Sequence, residues 1–221
     1  MIILLFGPPG CGKGTQAEFL VEKLQIPAVS TGEMFRAESQ SGTPLGRHIR
    51  DLLARGALIG DEIVNPLVAR RIAAPDCARG FLLDGYPRTV AQAVYFAELL
   101  RGRGLPEPRI IHLDVPSEIL VERLAARRQC PACHRIYNLL SHPPSYDGVC
   151  DHDGAVLIAR EDDDHHVIRE RLHAYARQTG PVLDWYGPSR VIRVDGSPEP
   201  QAVAAAIHEA LRRPLVRTSV N

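Results

Sequence analysis

The strongest constraint on the fold lies near the start of the chain. The apolar run IILLF (2–6) leads into GPPGCGKGT (7–15) and then into a helical pattern. This order indicates a buried strand, a glycine-rich loop and a helix. In such a loop successive backbone N–H groups point inward, and the helix N-terminus adds positive potential. Glycines are needed because side chains would keep an anion away from the backbone. The segment therefore predicts a phosphate-binding loop.

The lysine of this loop is unusual in its context. The chain has 26 basic residues, of which only Lys13 and Lys23 are lysines. A lysine at position 13 therefore indicates a chemical role, that of a mobile point charge for terminal phosphates. The general phosphate-loop pattern places Ser or Thr directly after the lysine, whereas here Gly14 precedes Thr15. An ordinary glycine-rich turn is the weaker interpretation, because glycines, lysine, strand and helix all occur in the required order.

The rest of the chain alternates short apolar runs with helical patterns. Further strands are predicted at 27–30, 80–85, 109–115 and 190–195, and helices at about 13–24, 61–73, 89–102, 117–128, 165–186 and 199–212. Such alternation is typical of an α/β fold with a mostly parallel sheet covered on both faces. Two stretches interrupt it. Residues 31–60 contain only polar helical segments, and residues 129–164 are rich in Cys, His, Pro, Asp and Gly. We interpret both as insertions into the core.

Composition narrows the class of protein. The 221 residues are 45% apolar and 24% charged, which is typical of a soluble domain with a sizeable core. The 26 basic and 26 acidic residues give no net charge, so the basic excess of nucleic-acid binders is missing. The apolar N-terminus is too short for a signal peptide or a membrane span. We therefore expect a cytoplasmic protein with reduced cysteines and neither a nucleic-acid nor a membrane partner.

Three of the five cysteines lie in the second insertion. Cys130 and Cys133 are spaced C-x-x-C, and Cys150 and Asp153 repeat that offset, so the two pairs can face one ion. Tetrahedral zinc takes four ligands, and a carboxylate oxygen is an acceptable one. A redox C-x-x-C pair is the alternative, but it would not need Cys150.

Several other assignments stay open on spacing alone. His152 competes for the fourth ligand position because imidazole is a good zinc donor, although it breaks the repeated offset. His134 is a weaker competitor. Cys11 is either an oxidation-sensitive thiol at a helix N-terminus or a small residue that fits the loop, and we favour the second interpretation. Cys77 has no partner in the sequence and is expected to be inert.

The form GKGTQ (12–16) carries a family resemblance. The chain resembles adenylate kinases of the long-lid form through STGEMFR (30–36), GDEIV (60–64), GFLLDGYPRT (80–89), HLDVP (112–116) and the lid cysteines, in order from residue 1 to about 212. The resemblance implies a P-loop kinase core with a five-stranded parallel sheet flanked by helices, a small helical monophosphate-binding insertion and a zinc-binding lid. The implied boundaries are 1–29, 61–128 and 165–221 for the core, 30–60 for the monophosphate-binding domain and 129–164 for the lid. The tail 214–221 carries no signal.

The resemblance also implies a reaction and its residues. The reaction is reversible transfer of the terminal phosphoryl group from Mg-ATP to AMP, giving two ADP, in adenine nucleotide homeostasis. The implied ATP-binding residues are Gly10, Cys11, Gly12, Lys13, Gly14, Thr15, Arg123, Arg127, Ile136, Tyr137 and Pro198. The implied AMP-binding residues are Thr31, Arg36, Ala57, Leu58, Ile59, Gly85, Tyr86, Pro87, Arg88, Gln92, Arg160 and Arg171. The implied catalytic residues are Lys13, Asp84, Arg88, Arg123, Arg160 and Arg171. The implied ligands of a structural zinc are Cys130, Cys133, Cys150 and Asp153.

Residue chemistry supports part of this assignment. Asp84 ends a strand at its carboxyl edge, where ligands bind in open α/β sheets, and can orient waters around Mg²⁺; capping the following turn is the alternative. The amide of Gln92 can pair with the donor and acceptor edges of adenine, but by itself it also fits a solvated helix residue. Arg123 and Arg127 are four residues apart and share one helix face. Pro198 replaces a lysine that the family often has, at a contact typically made by backbone.

Other functions share part of this sequence pattern. Another nucleoside monophosphate kinase, or a GTP-preferring AMP kinase, would keep the phosphate loop, but the long lid and Gln92 favour adenine. A nucleic-acid-binding zinc ribbon would share the cysteine spacing, yet it lacks a basic stripe and leaves the loop unexplained. The expected partners are therefore the small molecules ATP, AMP and ADP, bound by a monomer.

Overall fold

The computed structural model describes residues 1–213, apart from the side chains of Glu161 and His165; the tail 214–221 lies outside the described residues. The strands in this part of the chain are β1 (Ile2–Phe6), β2 (Ala28–Ser30), β3 (Phe81–Asp84), β4 (Arg109–Asp114), β5 (Arg127–Gln129), β6 (Ile136–Asn138) and β7 (Val191–Asp195). The α-helices are α1 (Lys13–Leu24), α2 (Thr31–Ser39), α3 (Pro44–Ala54), α4 (Asp61–Arg71), α5 (Val90–Gly102), α6 (Ser117–Ala125), α7 (His165–Ala174), α8 (Gly180–Tyr186) and α9 (Pro200–Arg212).

A five-stranded parallel sheet forms the centre of the molecule, with strand order β2-β3-β1-β4-β7. β1 pairs in parallel with β3 on one side and with β4 on the other. β3 and β4 follow one another in the chain but lie on opposite sides of β1. In open α/β sheets such a reversal of strand order leaves a crevice at the carboxyl end of the central strand, which is where the glycine-rich loop begins. The α/β fold and the five-stranded parallel sheet predicted from the sequence are confirmed.

The two faces of the sheet bury two separate apolar clusters. Leu4 and Phe6 of β1 pack on the face covered by α4, α5 and α8, whereas Ile3 and Leu5 pack on the face covered by α1, α6 and α9. All four side chains are almost completely buried. Each such burial stabilises the fold by about 1.5–3 kcal/mol. The sheet is therefore a rigid platform for the loops at its carboxyl edge.

Two predicted helices differ from the structure. The helix predicted over 117–128 ends at Ala125, because Arg127–Gln129 forms β5 and pairs with β6. The prediction that Arg123 and Arg127 share one helix face is therefore wrong, since only Arg123 lies on α6. The helix predicted over 165–186 is interrupted by a π-helical turn at Tyr175–Thr179. Pro181 has no N–H for an α-helical hydrogen bond, and its ring crowds the preceding turn. A wider turn, in which the Gly180 N–H donates to the carbonyl of Tyr175, resolves this conflict.

The two insertions have different structures. The first contains α2 and α3, in agreement with the polar helical segments predicted for 31–60. The second begins within β5, contains its hairpin partner β6, and has a small buried cluster of Tyr137, Leu157, Cys130 and Cys150. Within residues 1–213, none of the helices combines the length and the apolar character needed to cross a bilayer.

A buried arginine attaches the C-terminal helix to the sheet. Arg109 of β4 donates hydrogen bonds from Nη1 to the Arg213 carbonyl at 2.9 Å and from Nη2 to the Ala210 carbonyl at 3.0 Å. These carbonyls lie at the end of α9, where the last C=O groups of a helix lack intrahelical partners. The positive charge also lies at the negative end of the helix dipole.

We expect Arg109→Met to lower the free energy of unfolding by about 2 kcal/mol, because it removes the buried charged donor of two carbonyls at the end of α9. For a chain of this size, this corresponds to a melting temperature lower by about 4–8 °C. Arg190→Met is the matched control, since its ion pair with the exposed Glu107 is a surface pair worth less than about 1 kcal/mol. Equal melting temperatures for the two variants would show that Arg109 does not hold α9.

Candidate functional site

The loop between β1 and α1 has the conformation expected of an anion cradle. Gly10 and Gly12 have φ angles of +84° and +95°, in the left-handed region that glycine occupies without strain. A side chain at position 10 has no room, since a Cβ there would lie 2.9 Å from Cγ of Leu124. Gly12 is the N-cap of α1, so the free N–H groups of the first helical turn face the loop.

The two reactive side chains of the loop are held within it. Nζ of Lys13 donates hydrogen bonds to the carbonyls of Gly7 at 2.7 Å and Pro8 at 3.0 Å. Sγ of Cys11 lies 3.7 Å from that ammonium group, and burial raises the pKa of the thiol. Cys11 is therefore a protonated, enclosed thiol, which favours its interpretation as a small residue that fits the loop. Cys77 is also buried, and burial raises its pKa, in agreement with an inert thiol.

A cavity of about 360 Å³ opens beside this loop. It brings together most of the residues predicted for both nucleotides. Those that line it are Gly10, Cys11, Gly12, Lys13, Gly14, Thr15, Arg36, Leu58, Asp84, Gly85, Tyr86, Pro87, Arg88, Arg123, Arg127, Ile136, Tyr137, Arg160, Arg171 and Pro198. They come from the core, from both insertions and from α7, so the cavity lies where these parts meet.

Four predicted residues lie outside this lining. Ala57 and Ile59 line a second cavity of about 440 Å³ that also includes Leu58. Thr31 is buried, and its Oγ1 donates a hydrogen bond to the Gly85 carbonyl at 2.9 Å. Gln92 is also buried, with only 2% of its surface exposed, so its alternative interpretation as a solvated helix residue is wrong.

The first cavity is strongly cationic. Seven of its lining side chains are basic and three are acidic, namely Glu33, Asp84 and Glu199. The chain as a whole has no net charge, so this excess is local. Cations that converge in a partly enclosed space repel one another and favour the binding of anions.

Two carboxylates balance part of this charge, and sequence reasoning did not assign them. Arg127 donates to Asp163 from Nε at 2.7 Å, and Arg160 donates to Asp162 from Nε at 2.8 Å; each pair is bidentate. Arg171 contacts both aspartates at 3.1 Å. Burial alone would raise the pKa of Asp162, but the charges of Arg171 and Arg160 hold it well below its usual range. The only signal in the sequence was the acidic run EDDD (161–164).

Other arginines of the cavity are held by the backbone or by burial. Arg123 donates to the carbonyls of Gly196 and Ser197 at 2.8 Å each, which fixes α6 against the loop after β7. Nε of Arg88 donates to the Gly85 carbonyl at 2.8 Å. Burial, and to a lesser extent the positive charge of Arg160, lowers the pKa of Arg36 to about 10. A bound anion would relieve this unfavourable environment.

The amide of Gln92 is fixed at both ends. Its Nε2 donates to Oδ1 of Asp61 at 2.6 Å, and its Oε1 accepts from the backbone N–H of Arg88 at 2.7 Å. Asp61 lines the second cavity and Arg88 lines the first, so Gln92 lies at the boundary between them. Sequence reasoning missed Asp61, which lies 31 positions before its partner.

A buried histidine of the sheet contacts the first residue of the π-helical turn. His112 of β4 shares a hydrogen bond of 3.1 Å between Nε2 and the hydroxyl of Tyr175, which lines the first cavity. Among the described residues, Nδ1 of His112 has no hydrogen-bond partner. Burial lowers the pKa of His112, which favours the neutral form of the ring in the folded protein.

The candidate metal ligands of the lid converge in space. The ligand atoms of Cys130, Cys133, Cys150 and Asp153 all lie within 4.8 Å of one another. Sγ of Cys133 is 3.6 Å from Sγ of Cys150, and Sγ of Cys130 is 3.3 Å from both oxygens of Asp153. Thiolates that share a tetrahedral zinc at about 2.3 Å lie about 3.8 Å apart, so this group fits the ion.

The histidines near these ligands are arranged differently. Within residues 1–213, the group that could hold a metal includes neither His152 nor His134. Both histidines are exposed. The repeated i, i+3 offset in the sequence therefore predicted the fourth member of the group correctly as Asp153. The fact that imidazole is a good zinc donor would have favoured His152 instead.

Known proteins that are similar to this chain indicate the family to which it belongs. The protein-family model described as Adenylate kinase matches residues 5–191. The chain belongs to the adenylate kinase family. A protein of Anaeromyxobacter dehalogenans named adenylate kinase is 42% identical over 214 residues, covering 96% of this chain and 100% of the relative. One of Carboxydothermus hydrogenoformans is 43% identical with the same coverage, and one of Trichlorobacter lovleyi is 46% identical over 87% of this chain and 90% of the relative.

The family membership accounts for the architecture of the site. The matched region runs from the first strand to the last strand of the sheet and contains both insertions. The relatives are similar to the chain over nearly its whole length, so the glycine-rich loop, the arginines and the lid cysteines all lie inside the compared region.

The buried His112 makes stability depend on pH. The pKa of this ring is depressed in the folded protein from its usual value of 6.5. Below about pH 6.5 the unfolded chain therefore takes up a proton that the folded protein excludes, and the free energy of unfolding falls as the pH is lowered. We expect His112→Gln to flatten this fall below about pH 6.5 in denaturant titrations.

The control is His48→Gln, which changes an exposed histidine of α3. This variant should keep the pH slope of the unmodified protein. If His112→Gln and the unmodified protein lose stability in parallel over this range, His112 is not the group responsible.

Proposed function

We propose that this protein catalyses reversible transfer of the terminal phosphoryl group from Mg-ATP to AMP, giving two molecules of ADP. The observation that carries the proposal is one cationic cavity, which joins the glycine-rich loop on one side to Arg36 of the first insertion and Arg88 of the core on the other. Two nucleotides placed end to end carry their negative charge where their phosphates meet. A site for this reaction must neutralise that charge and align the reacting oxygens.

The donor nucleotide is proposed to bind on the side of the glycine-rich loop. The backbone N–H groups of residues 10–15 and the ammonium of Lys13 would hold its phosphates. Ile136 and Tyr137 of the lid line the same side, as does Pro198 in the loop that Arg123 holds. Apolar and aromatic side chains at this position suit a nucleobase and a ribose.

The acceptor nucleotide is proposed to bind between the first insertion and the core. Arg36 and Arg88 would contact its phosphate from the cavity wall. The segment from Ala57 to Ile59 would contact its base or sugar through the backbone, and Gln92 would pair with the base. Thr31 would act through its hydrogen bond to Gly85.

Catalysis in this proposal is charge stabilisation and positioning by this chain's own residues. Lys13, Arg88, Arg123, Arg160 and Arg171 converge on the cavity where the transferred group would lie. Asp162 and Asp163 hold Arg160 and Arg171 in place, so their side chains need little reorganisation when phosphates arrive. The fixed cations then stabilise the charge that spreads over the transferring phosphoryl group.

Asp84 is the residue proposed to act on the magnesium that accompanies ATP. It ends β3, lies opposite Leu5 of β1 in the sheet and lines the cavity. A carboxylate that lines the same cavity as the phosphate loop can orient the waters of a cation that keeps several of them. When bound, Mg²⁺ would neutralise phosphate charge.

Closure of the two insertions is proposed to exclude water from the reaction. α3 of the first insertion already contacts the turn Glu161–Asp163 at the end of the lid. An added Cβ at Gly56 would lie 3.0 Å from Cγ of Arg171 in α7, so the first insertion also approaches the core closely. An open site would allow transfer of the phosphoryl group to water. We propose the segments 30–60 and 129–164 as the moving parts and 1–29, 61–128 and 165–221 as the core.

The lid is proposed to hold a structural zinc through Cys130, Cys133, Cys150 and Asp153. The fit of their spacing supports this assignment, as does the absence of a disulfide among the five described cysteines. Four protein ligands leave no open coordination position, so the metal would stabilise the lid without taking part in the chemistry. We also propose that the protein acts as a monomer in the cytoplasm, where cysteines stay reduced.

The proposed activity is tested by a coupled assay with ATP and each of AMP, GMP, CMP and UMP, with and without Mg²⁺. AMP with Mg²⁺ should be the strongly preferred combination. Equal activity with UMP or CMP would overturn the acceptor assignment.

Lys13→Ala should lower turnover by about 10²–10³-fold, because it removes a fixed charge from the transferring phosphate. Lys23→Ala is the matched control, since it removes the other lysine of the chain from the exposed end of the same helix. Both variants should keep the melting temperature of the unmodified protein. Turnover of Lys13→Ala within threefold of the unmodified enzyme would remove Lys13 from the mechanism.

The zinc assignment predicts which lid variants lose metal. Asp153→Ala should lower the zinc content well below about one ion per chain, whereas Asp153→Cys should retain it because a thiolate is also a good ligand. His152→Ala, the neighbouring control, should also retain it. Metal analysis of the purified variants measures this, and removal of the metal by a chelator should lower the melting temperature. Loss of zinc from His152→Ala alone would show that the ligand set is wrong.

A further inference from the structure

The contact between Asp61 and Gln92 has a direction. Asp61 is the first residue of α4, and its Oδ1 accepts a hydrogen bond of 2.6 Å from Nε2 of Gln92. Oδ2 of Asp61 lies 3.5 Å from the Thr89 hydroxyl. The same hydroxyl caps α5 by accepting from the Gln92 N–H at 3.1 Å. The Thr89 side chain therefore contacts both the carboxylate of Asp61 and the backbone of Gln92.

Each partner of the Gln92 amide can play only one role. An ionised carboxylate only accepts hydrogen bonds, and a backbone N–H only donates. Asp61 therefore requires the NH₂ end of the amide, and the N–H of Arg88 requires its oxygen end. A flipped amide would place oxygen against carboxylate and N–H against N–H. The two contacts thus exclude the flipped orientation.

The orientation of this amide decides which purine it can pair with. An amide has two N–H donors and an oxygen with two lone pairs, so one donor and one acceptor position remain after the two contacts are made. Adenine presents an acceptor at N1 and a donor at its 6-amino group. Hypoxanthine and guanine present the reverse, a donor at N1–H and an acceptor at O6. A flipped amide would suit them, whereas the fixed amide matches adenine.

We infer that Asp61 is a specificity-determining positioning residue, which selects AMP over 6-oxopurine monophosphates by fixing the orientation of the Gln92 amide. This inference rests on the proposed function, because it takes the base of the acceptor nucleotide to meet Gln92. Asp61 need not touch the nucleotide. A site that fixes its hydrogen-bonding groups leaves a mismatched base with unpaired polar atoms, which is the most effective way to reject it.

The test is Asp61→Asn, which keeps the size of the side chain but can both donate and accept. Its own amide can turn to match either orientation of Gln92, so only the Arg88 N–H still opposes the flip. We expect kcat/KM for IMP relative to AMP to rise about ten- to a hundredfold, the range for one lost charged hydrogen bond. KM for ATP should not change, and calorimetric binding of AMP and IMP without ATP should show the same change in preference.

The matched control is Glu62→Gln. It neutralises the next carboxylate in the same first turn of α4, so the effect on the helix dipole is the same, but Glu62 is exposed. This variant should keep the ratio of IMP to AMP. Asp61→Ala is a second variant, which should also relax the preference, with a melting temperature measured alongside to separate folding from specificity.

Two different failures can be told apart. If the unmodified protein phosphorylates AMP but Asp61→Asn keeps the AMP preference within twofold, or loses AMP and IMP activity equally, Asp61 does not orient the amide and the inference is overturned. If the unmodified protein does not phosphorylate AMP from ATP at all, the proposed function itself is overturned.

Discussion

Repulsion between like charges is the constraint on which the rest of this structure depends. Seven basic side chains line one cavity, and they can remain there only if other groups hold them. Asp162 and Asp163 hold the arginines at the lid end, backbone carbonyls hold Arg123 and Arg88, and the loop carbonyls hold Lys13. The folded sheet supplies the free energy needed to keep these cations close together.

The arrangement of these supports explains why the cavity lies between three parts of the chain. The loop and Asp84 lie at the carboxyl edge of the parallel sheet. Arg127 and Arg160 lie at the two ends of the lid, and both are paired with aspartates of a single turn. The lid is thus attached at its base by ion pairs that also arrange the cavity. The same contacts therefore neutralise charge and join the two ends of this segment.

Local features of the fold and site could be read from the sequence, whereas long-range pairs could not. The glycine-rich loop, the buried strands and the repeated cysteine offset each depend on residues close together in the chain, and the structure has them as predicted. The pairing of Gln92 with Asp61, and of His112 with Tyr175, depends on tertiary packing that periodicity does not encode. The π-helical turn was missed because the helical pattern over 165–186 does not show where Pro181 interrupts the α-helical hydrogen bonds.

Tyr137 belongs to two environments at once. Its ring is part of the cavity wall, while its hydroxyl lies 3.4 Å from Sγ of Cys150 and accepts a hydrogen bond from the Asp151 N–H at 2.9 Å. The cysteine cluster and the nucleotide cavity are consequently joined by a single side chain. A rearrangement of the cysteine cluster that moves Tyr137 would therefore also change the wall of the cavity. The order of the lid and the shape of the nucleotide site depend on the same side chain.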